Sequence, residues 1–195
     1  MNERGGYWDP VPAARAGGAR PVPEALRSPE RAYPEAYLTG RWEERNWRNV
    51  PGPFYGAGTD TCGAGPSAAP GHVLCDEDGR EFVHRQPRNA AEVDRLLLAA
   101  WRDPFDGYGW DGDRHWTPDS VRGWWHDRGR LREWATGPAG EWSACSDGGH
   151  RAAAATGLRG LVSYLDDGLE GDLRRYLYWL AEGRSPGPAE RLPGL

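Results

Sequence analysis

Four aspartates, Asp103, Asp106, Asp111 and Asp113, fall within eleven residues that hold no basic side chain, with Gly107, Gly109 and Gly112 among them. Carboxylates on a glycine-rich loop are the raw material of a calcium site, which needs about six to eight oxygens and, in the helix–loop–helix pattern, a glutamate that closes the loop. Asp111 and Asp113 match two positions of that pattern, but Arg114, His115 and Trp116 follow, and no glutamate stands at the closing position. A bound cation is therefore not expected. Zinc ligands are missing too: of the five histidines none belongs to an HExxH pair, and no two cysteines form a CxxC. No metal and no cofactor is predicted.

Covalent chemistry has one candidate. Cys62, in the loop "GTDTCGAG", lies near Asp60, with His72 and His84 close in sequence. A cysteine nucleophile acts as the thiolate, which a neighbouring histidine or helix N-terminus stabilises. His72 or His84 would be the base, and a small enzyme built on Cys62 is one alternative function. The run "YGAGTDTCGAG" is superficially similar to a phosphate-binding loop, but Thr61 stands where the third glycine of GxGxxG belongs, and Pro51 and Pro53 spoil the strand that should precede it.

The aromatic residues offer a different chemistry. Seven of the eleven tryptophans fall between Trp101 and Trp142, and adjacent Trp124 and Trp125 cannot both face the core from one helix. Exposed tryptophan beside acids and arginines is the composition of a protein-binding surface. On that reading Asp103, Asp106, Asp111 and Asp113 steer a basic protein partner, while Trp110, Trp116 and Trp125 anchor it. A tryptophan-lined pocket for a small molecule is the remaining alternative.

These side chains need a scaffold, and 195 residues suffice for one well-buried domain. All 24 basic residues are arginine and isoleucine is absent, the usage of a GC-rich genome, so single glycines and prolines are weak turn signals here. The net charge of −5 argues against nucleic acid as a partner, because phosphate neutralisation needs a basic face. No apolar run approaches the length of a membrane helix and the N-terminus does not resemble a signal peptide. Three scattered cysteines, Cys62, Cys75 and Cys145, suit reduced thiols. A cytoplasmic protein with no membrane partner is expected.

The predicted fold is α+β with helix dominant: an extended proline- and glycine-rich arm over residues 1–40, a globular domain over 41–184 and a tail over 185–195. Tyr7, Trp8, Tyr33 and Tyr37 are expected to pin the arm. Residues 72–75 and 80–85 flank Asp78 and Gly79, which predicts a β-hairpin over about 72–86. Asn89 with Glu92 caps a helix whose inner stripe is Val93, Leu96, Leu97, Ala100 and Trp101. A second helix starts at Thr117 with Pro118, has its inner side marked by Val121, Trp124, Trp125 and Leu131, and is divided at Gly129. Leu158, Leu161, Val162 and Leu165 mark a third helix; Leu169, Leu173, Tyr176, Leu177 and Leu180 mark a fourth, which Gly183 closes.

The phrases "NWRNVPGPFYGAGTDTCGAG", "HVLCDEDGREFVHRQP" and "DPFDGYGWDGDRHWTPDSVRGWWHDR" together resemble a group of small actinobacterial proteins, found in many streptomycetes, that are sometimes labelled ferredoxin. That label implies an iron–sulfur cluster, which wants four cysteine thiolates. Three dispersed cysteines do not supply them, so no cluster is expected. A small, acidic, tryptophan-rich chain without a catalytic motif is also similar in type to immunity proteins, which neutralise a toxin by covering its active site. An immunity-type inhibitor is thus the leading expectation.

Overall fold

Two short strands, β2 (Val73–Cys75) and β3 (Glu81–Val83), pair antiparallel in the register Val73↔Val83, Leu74↔Phe82 and Cys75↔Glu81. Successive strand residues point to opposite faces, and here both faces are buried. Val73 and Val83 enter one apolar cluster, whereas Leu74 and Phe82 enter another. The hairpin therefore divides the core of the molecule. The computed structural model describes residues 6–17, 22, 28–137 and 150–195; Trp142 and Cys145 lie outside the described residues.

The hairpin turn is wider than the predicted Asp78–Gly79 pair. Gly79 alone takes a positive φ, 81°, and the loop closes through Asp76, whose Oδ1 accepts from the amides of Asp78 and Arg80 at 3.0 and 2.9 Å. A second antiparallel pair, β1 (Tyr55–Gly56) with β4 (Tyr108–Gly109), has only two residues a side, too short to carry an alternation signal. Its neighbour Gly107 is needed for close approach, since a Cβ there would stand about 2.5 Å from the backbone of Gly58 and Thr59.

Seven α-helices are present among the described residues: α1 (Val11–Gly17), α2 (Ala64–Ala68), α3 (Ala90–Arg102), α4 (Pro118–His126), α5 (Arg128–Thr136), α6 (His150–Asp166) and α7 (Leu169–Glu182). The chain is thus a helix-dominant α+β domain. Helix α3 starts where the sequence predicts, with the Asn89 side chain accepting from the Glu92 amide at 3.0 Å, and buries Val93, Leu96, Leu97 and Ala100. The break between α4 and α5 falls at Asp127 rather than Gly129. Thr117 and Ser120 cap α4 reciprocally, and Gly183 ends α7 in the left-handed region.

The N-terminal segment departs most from an extended arm. It holds α1, which packs on α3, and two 3₁₀ turns at Pro29–Arg31 and Pro34–Ala36. Tyr37 is fully buried and Tyr7 and Trp8 pack against the two clusters, but Tyr33 is exposed. The end of the chain docks as well: Leu195 packs on the core, and Arg174 donates to the Pro193 carbonyl at 2.8 Å.

A polar clamp holds the two sheets together. Asn49 makes four hydrogen bonds: its Oδ1 accepts from the amides of Gly56 and Val83 at 2.9 and 2.8 Å, and its Nδ2 donates to the carbonyls of Asn46 and Gly56 at 2.6 and 2.8 Å. Arg48 Nη2 donates to both carboxylate oxygens of Glu77 at 2.6 Å, Nη1 donates to Asp76 at 3.3 Å, and the guanidinium lies 4.6 Å from the ring centres of Trp47 and Trp134. A planar guanidinium suits both the carboxylate and the rings.

Candidate ligand site

The acidic loop does not present a row of free carboxylates. Asp103 is 1 % exposed, and its side chain accepts from the amides of Asp60, Phe105 and Gly107 at 3.1, 3.2 and 2.7 Å. Asp106 accepts from Arg31 at 2.5 Å. Asp111 accepts from the Tyr55 hydroxyl at 2.8 Å and lies 3.2 Å from His115 Nε2. Asp113 accepts from the Tyr176 hydroxyl at 2.6 Å, and burial pushes its carboxyl up to about 7, with Asp9 adding to the rise. Trp116 is buried edge-on to Trp42, 5.2 Å away. Asp103 and Trp116, expected as partner contacts, are thus both buried, at 1 % and 8 % exposure. Trp110 and Trp125 remain half-buried, with Arg15 over the first at 5.6 Å and Arg128 over the second at 3.7 Å.

The cysteine arrangement does not assemble either. Cys62 is exposed, and its thiol is pushed up by a hydrogen bond to Asp60 and by that residue's charge, the opposite of what a nucleophile requires. No contact joins Cys62 to a histidine among the described residues. His72 instead places Nδ1 at 2.9 Å from the Arg85 carbonyl and Nε2 at 3.8 Å from Glu92, and burial lowers its pKa. His84 is buried and pushed down to about 3, chiefly by burial. Cys75 is half-buried, its thiol raised by burial to about 12. No three His, Cys, Asp or Glu side chains converge as metal ligands among the described residues.

What the fold does build is a cleft of about 350 Å³ between residues 6–8, the loop after β3 and helices α6 and α7. Tyr7 is wedged between Tyr176 and Trp179, with ring centroids 5.4 and 5.2 Å away, and the Ser185 hydroxyl donates to its carbonyl. Its own hydroxyl is buried with no partner among the described residues. On the facing wall Asp172 gathers three donors. Arg88 Nη2 donates to it, the Tyr164 hydroxyl donates at 2.6 Å, and Arg175 Nη1 donates at 3.3 Å. Burial opposes the charge on Arg88, but Asp172 and Tyr164 outweigh that and hold its pKa above the ordinary value. Burial, reinforced by Asp172, keeps the Tyr164 hydroxyl protonated well above its usual range.

The wall therefore carries two guanidiniums around one carboxylate, beside the rings of Tyr7, Trp8, Tyr164 and Tyr176, while Asp113 and Asp9 lie on the far side of Tyr7 and Tyr176. Such a site can stack a flat ring and hold an anionic group. Sequence reasoning found Tyr7, Trp8 and Tyr176 only as packing residues and missed Arg88, Tyr164, Asp172 and Arg175 as a group. The one local signal was the Asp172–Arg175 spacing of three on a helix, which reads equally as an ordinary surface pair.

No helix among the described residues is long and apolar enough to cross a membrane. No family model, curated protein or solved structure matches the chain.

Proposed function

We propose that the protein binds a small organic anion bearing a planar ring, in the cleft between residues 6–8 and helices α6 and α7. The observation that carries this reading is the Arg88–Asp172–Arg175 cluster, set against tyrosine rings in a cavity of about 350 Å³. That volume lies in the range of small-molecule pockets, whose walls are mostly apolar with a few placed polar groups. The two guanidiniums are the donors that an anionic group would use. The test is ligand-observed NMR with benzoate and indole-3-carboxylate, together with thermal melting of the full chain. Binding should raise the melting midpoint with ligand concentration. Arg175→Ala should weaken it at least about tenfold, the cost of a charge-assisted hydrogen bond. Equal binding by the parent and Arg175→Ala would refute the assignment.

A second reading, the immunity-type inhibitor acting on a basic partner in the cytoplasm, is favoured by one observation. Phe105 is 70 % exposed beside Asp106, whose φ of 52° is unusual for a residue other than glycine. Trp110, Asp111 and Trp125 are also partly accessible. Pull-down from cells of a GC-rich bacterium should then recover one stoichiometric basic partner, which Phe105→Ala releases. Recovery of the chain alone would remove this reading and leave the cleft.

A further inference from the structure

A second opening, of about 480 Å³, lies between the ends of the hairpin and α6, walled in part by Pro70, Gly71, Gly157 and Gly160. His84 and Arg85, on the chain leaving β3, line it. The His84 side chain is 4 % exposed, and neither Nδ1 nor Nε2 has a hydrogen-bond partner among the described residues. Buried polar atoms are nearly always bonded, so an imidazole with both nitrogens idle marks a place where a partner belongs. His72, across the hairpin, shows the contrast, with Nδ1 held by the Arg85 carbonyl at 2.9 Å. Arg85 repeats the pattern of His84. Its Nε is buried and unbonded, its guanidinium makes no ion pair among the described residues, and the Tyr164 ring 4.2 Å away fixes its plane.

Burial keeps the imidazole uncharged at neutral pH. Arg85 is then the one formally charged side chain among the described residues that line the opening. The helix wall holds two glycines. Glycine is a poor helix former; at Gly157 a Cβ would stand 2.6 Å from Leu74 Cδ2 and push that side chain aside, and at Gly160, exposed on the rim, a Cβ would meet no atom within 4 Å. We propose that this opening is a binding site for a small carboxylate, which pairs with the Arg85 guanidinium and, as the lining adjusts around it, accepts from Arg85 Nε–H and from the one N–H of His84, atoms that are covered in this structure. The opening has its own lining, and it meets the Tyr7 cleft only at Tyr164, whose ring borders that cleft and stacks on Arg85.

The test uses the full chain with ¹⁵N-labelled histidine, titrated with sodium acetate against sodium chloride at equal ionic strength, and His84→Leu identifies the His84 signals. The His84 ring resonances should move saturably with acetate and not with chloride. Gly160→Met restores a good helix former while filling the space, and should weaken acetate at least about tenfold, as should Arg85→Gln. His84→Leu should melt higher than the parent without acetate and gain nothing from it, since it removes two unbonded nitrogens. Arg175→Ala should leave acetate at His84 unaffected, so failure here is read separately from failure of the Tyr7 cleft. Acetate that shifts His84 no further than chloride overturns the proposal. So does a Gly160→Met variant, folded by circular dichroism, that binds acetate as tightly as the parent.

Discussion

Single residues in this protein do their work chiefly as hydrogen-bond junctions. Asn49 satisfies all four of its amide contacts with three backbone segments, so Asn49→Ala strands several buried backbone groups at once. The expected loss is about 3–5 kcal/mol, read from urea unfolding. Glu81 and Asp113 are junctions of another kind. Glu81 accepts from the Tyr108 hydroxyl and from the Gly65 amide at 2.7 Å, yet burial raises its pKa to about 7, as burial raises Asp113. Both folded values lie above the unfolded ones, so between about pH 4 and pH 7 the folded chain holds protons that the unfolded chain releases. Stability should fall as pH rises through that window and level off above it. Glu81→Gln should flatten the decline when unfolding is measured at a series of pH values; an unchanged slope would show that Glu81 does not titrate there.

The secondary elements show which physical signals a sequence carries. Thr117 caps α4 through a reciprocal pair with Ser120, and Thr117→Ala should cost about 1 kcal/mol without altering the cleft. The start of α4 at Thr117, the Asn89 cap and the leucine stripes of α6 and α7 were legible because helix-start signals and helical periodicity are local, whereas the part Ser120 plays in the cap was not read. The hairpin was legible from Gly79 and the flanking apolar runs, although its turn is set by the Asp76 side chain rather than by the Asp78–Gly79 pair. The β1–β4 ladder was not legible, since two-residue strands have no period. Helix α1 was hidden by the prolines around it. The candidate site was the least legible part, because its members run from Tyr7 to Tyr176 and meet only through tertiary packing. The phrases that carry the resemblance prove to be largely architectural: "NWRN" is the clamp of Asn46, Arg48 and Asn49, and the aspartates of "DPFDGYGWDGDRHW" bond inward.

At the scale of the whole molecule, the N-terminal segment is a wall of the cleft and part of the core. Tyr7→Ala should cost about 3 kcal/mol by removing a ring packed on Tyr176 and Trp179, and should weaken any ligand of the cleft. Tyr7→Phe separates the two roles, since it keeps the ring and deletes only the unpartnered hydroxyl. Its stability should equal or exceed that of the parent, and a marked loss in thermal melting would mean that the hydroxyl has a bonded partner. The hairpin at the centre sets one more property. The Val83 amide is bound by the Asn49 side chain at 2.8 Å rather than by a strand edge that can fray, and both sides of its strand face buried clusters. Deuterium should therefore enter at Val83 only when the entire chain opens, which makes its isotope exchange a reporter of global unfolding.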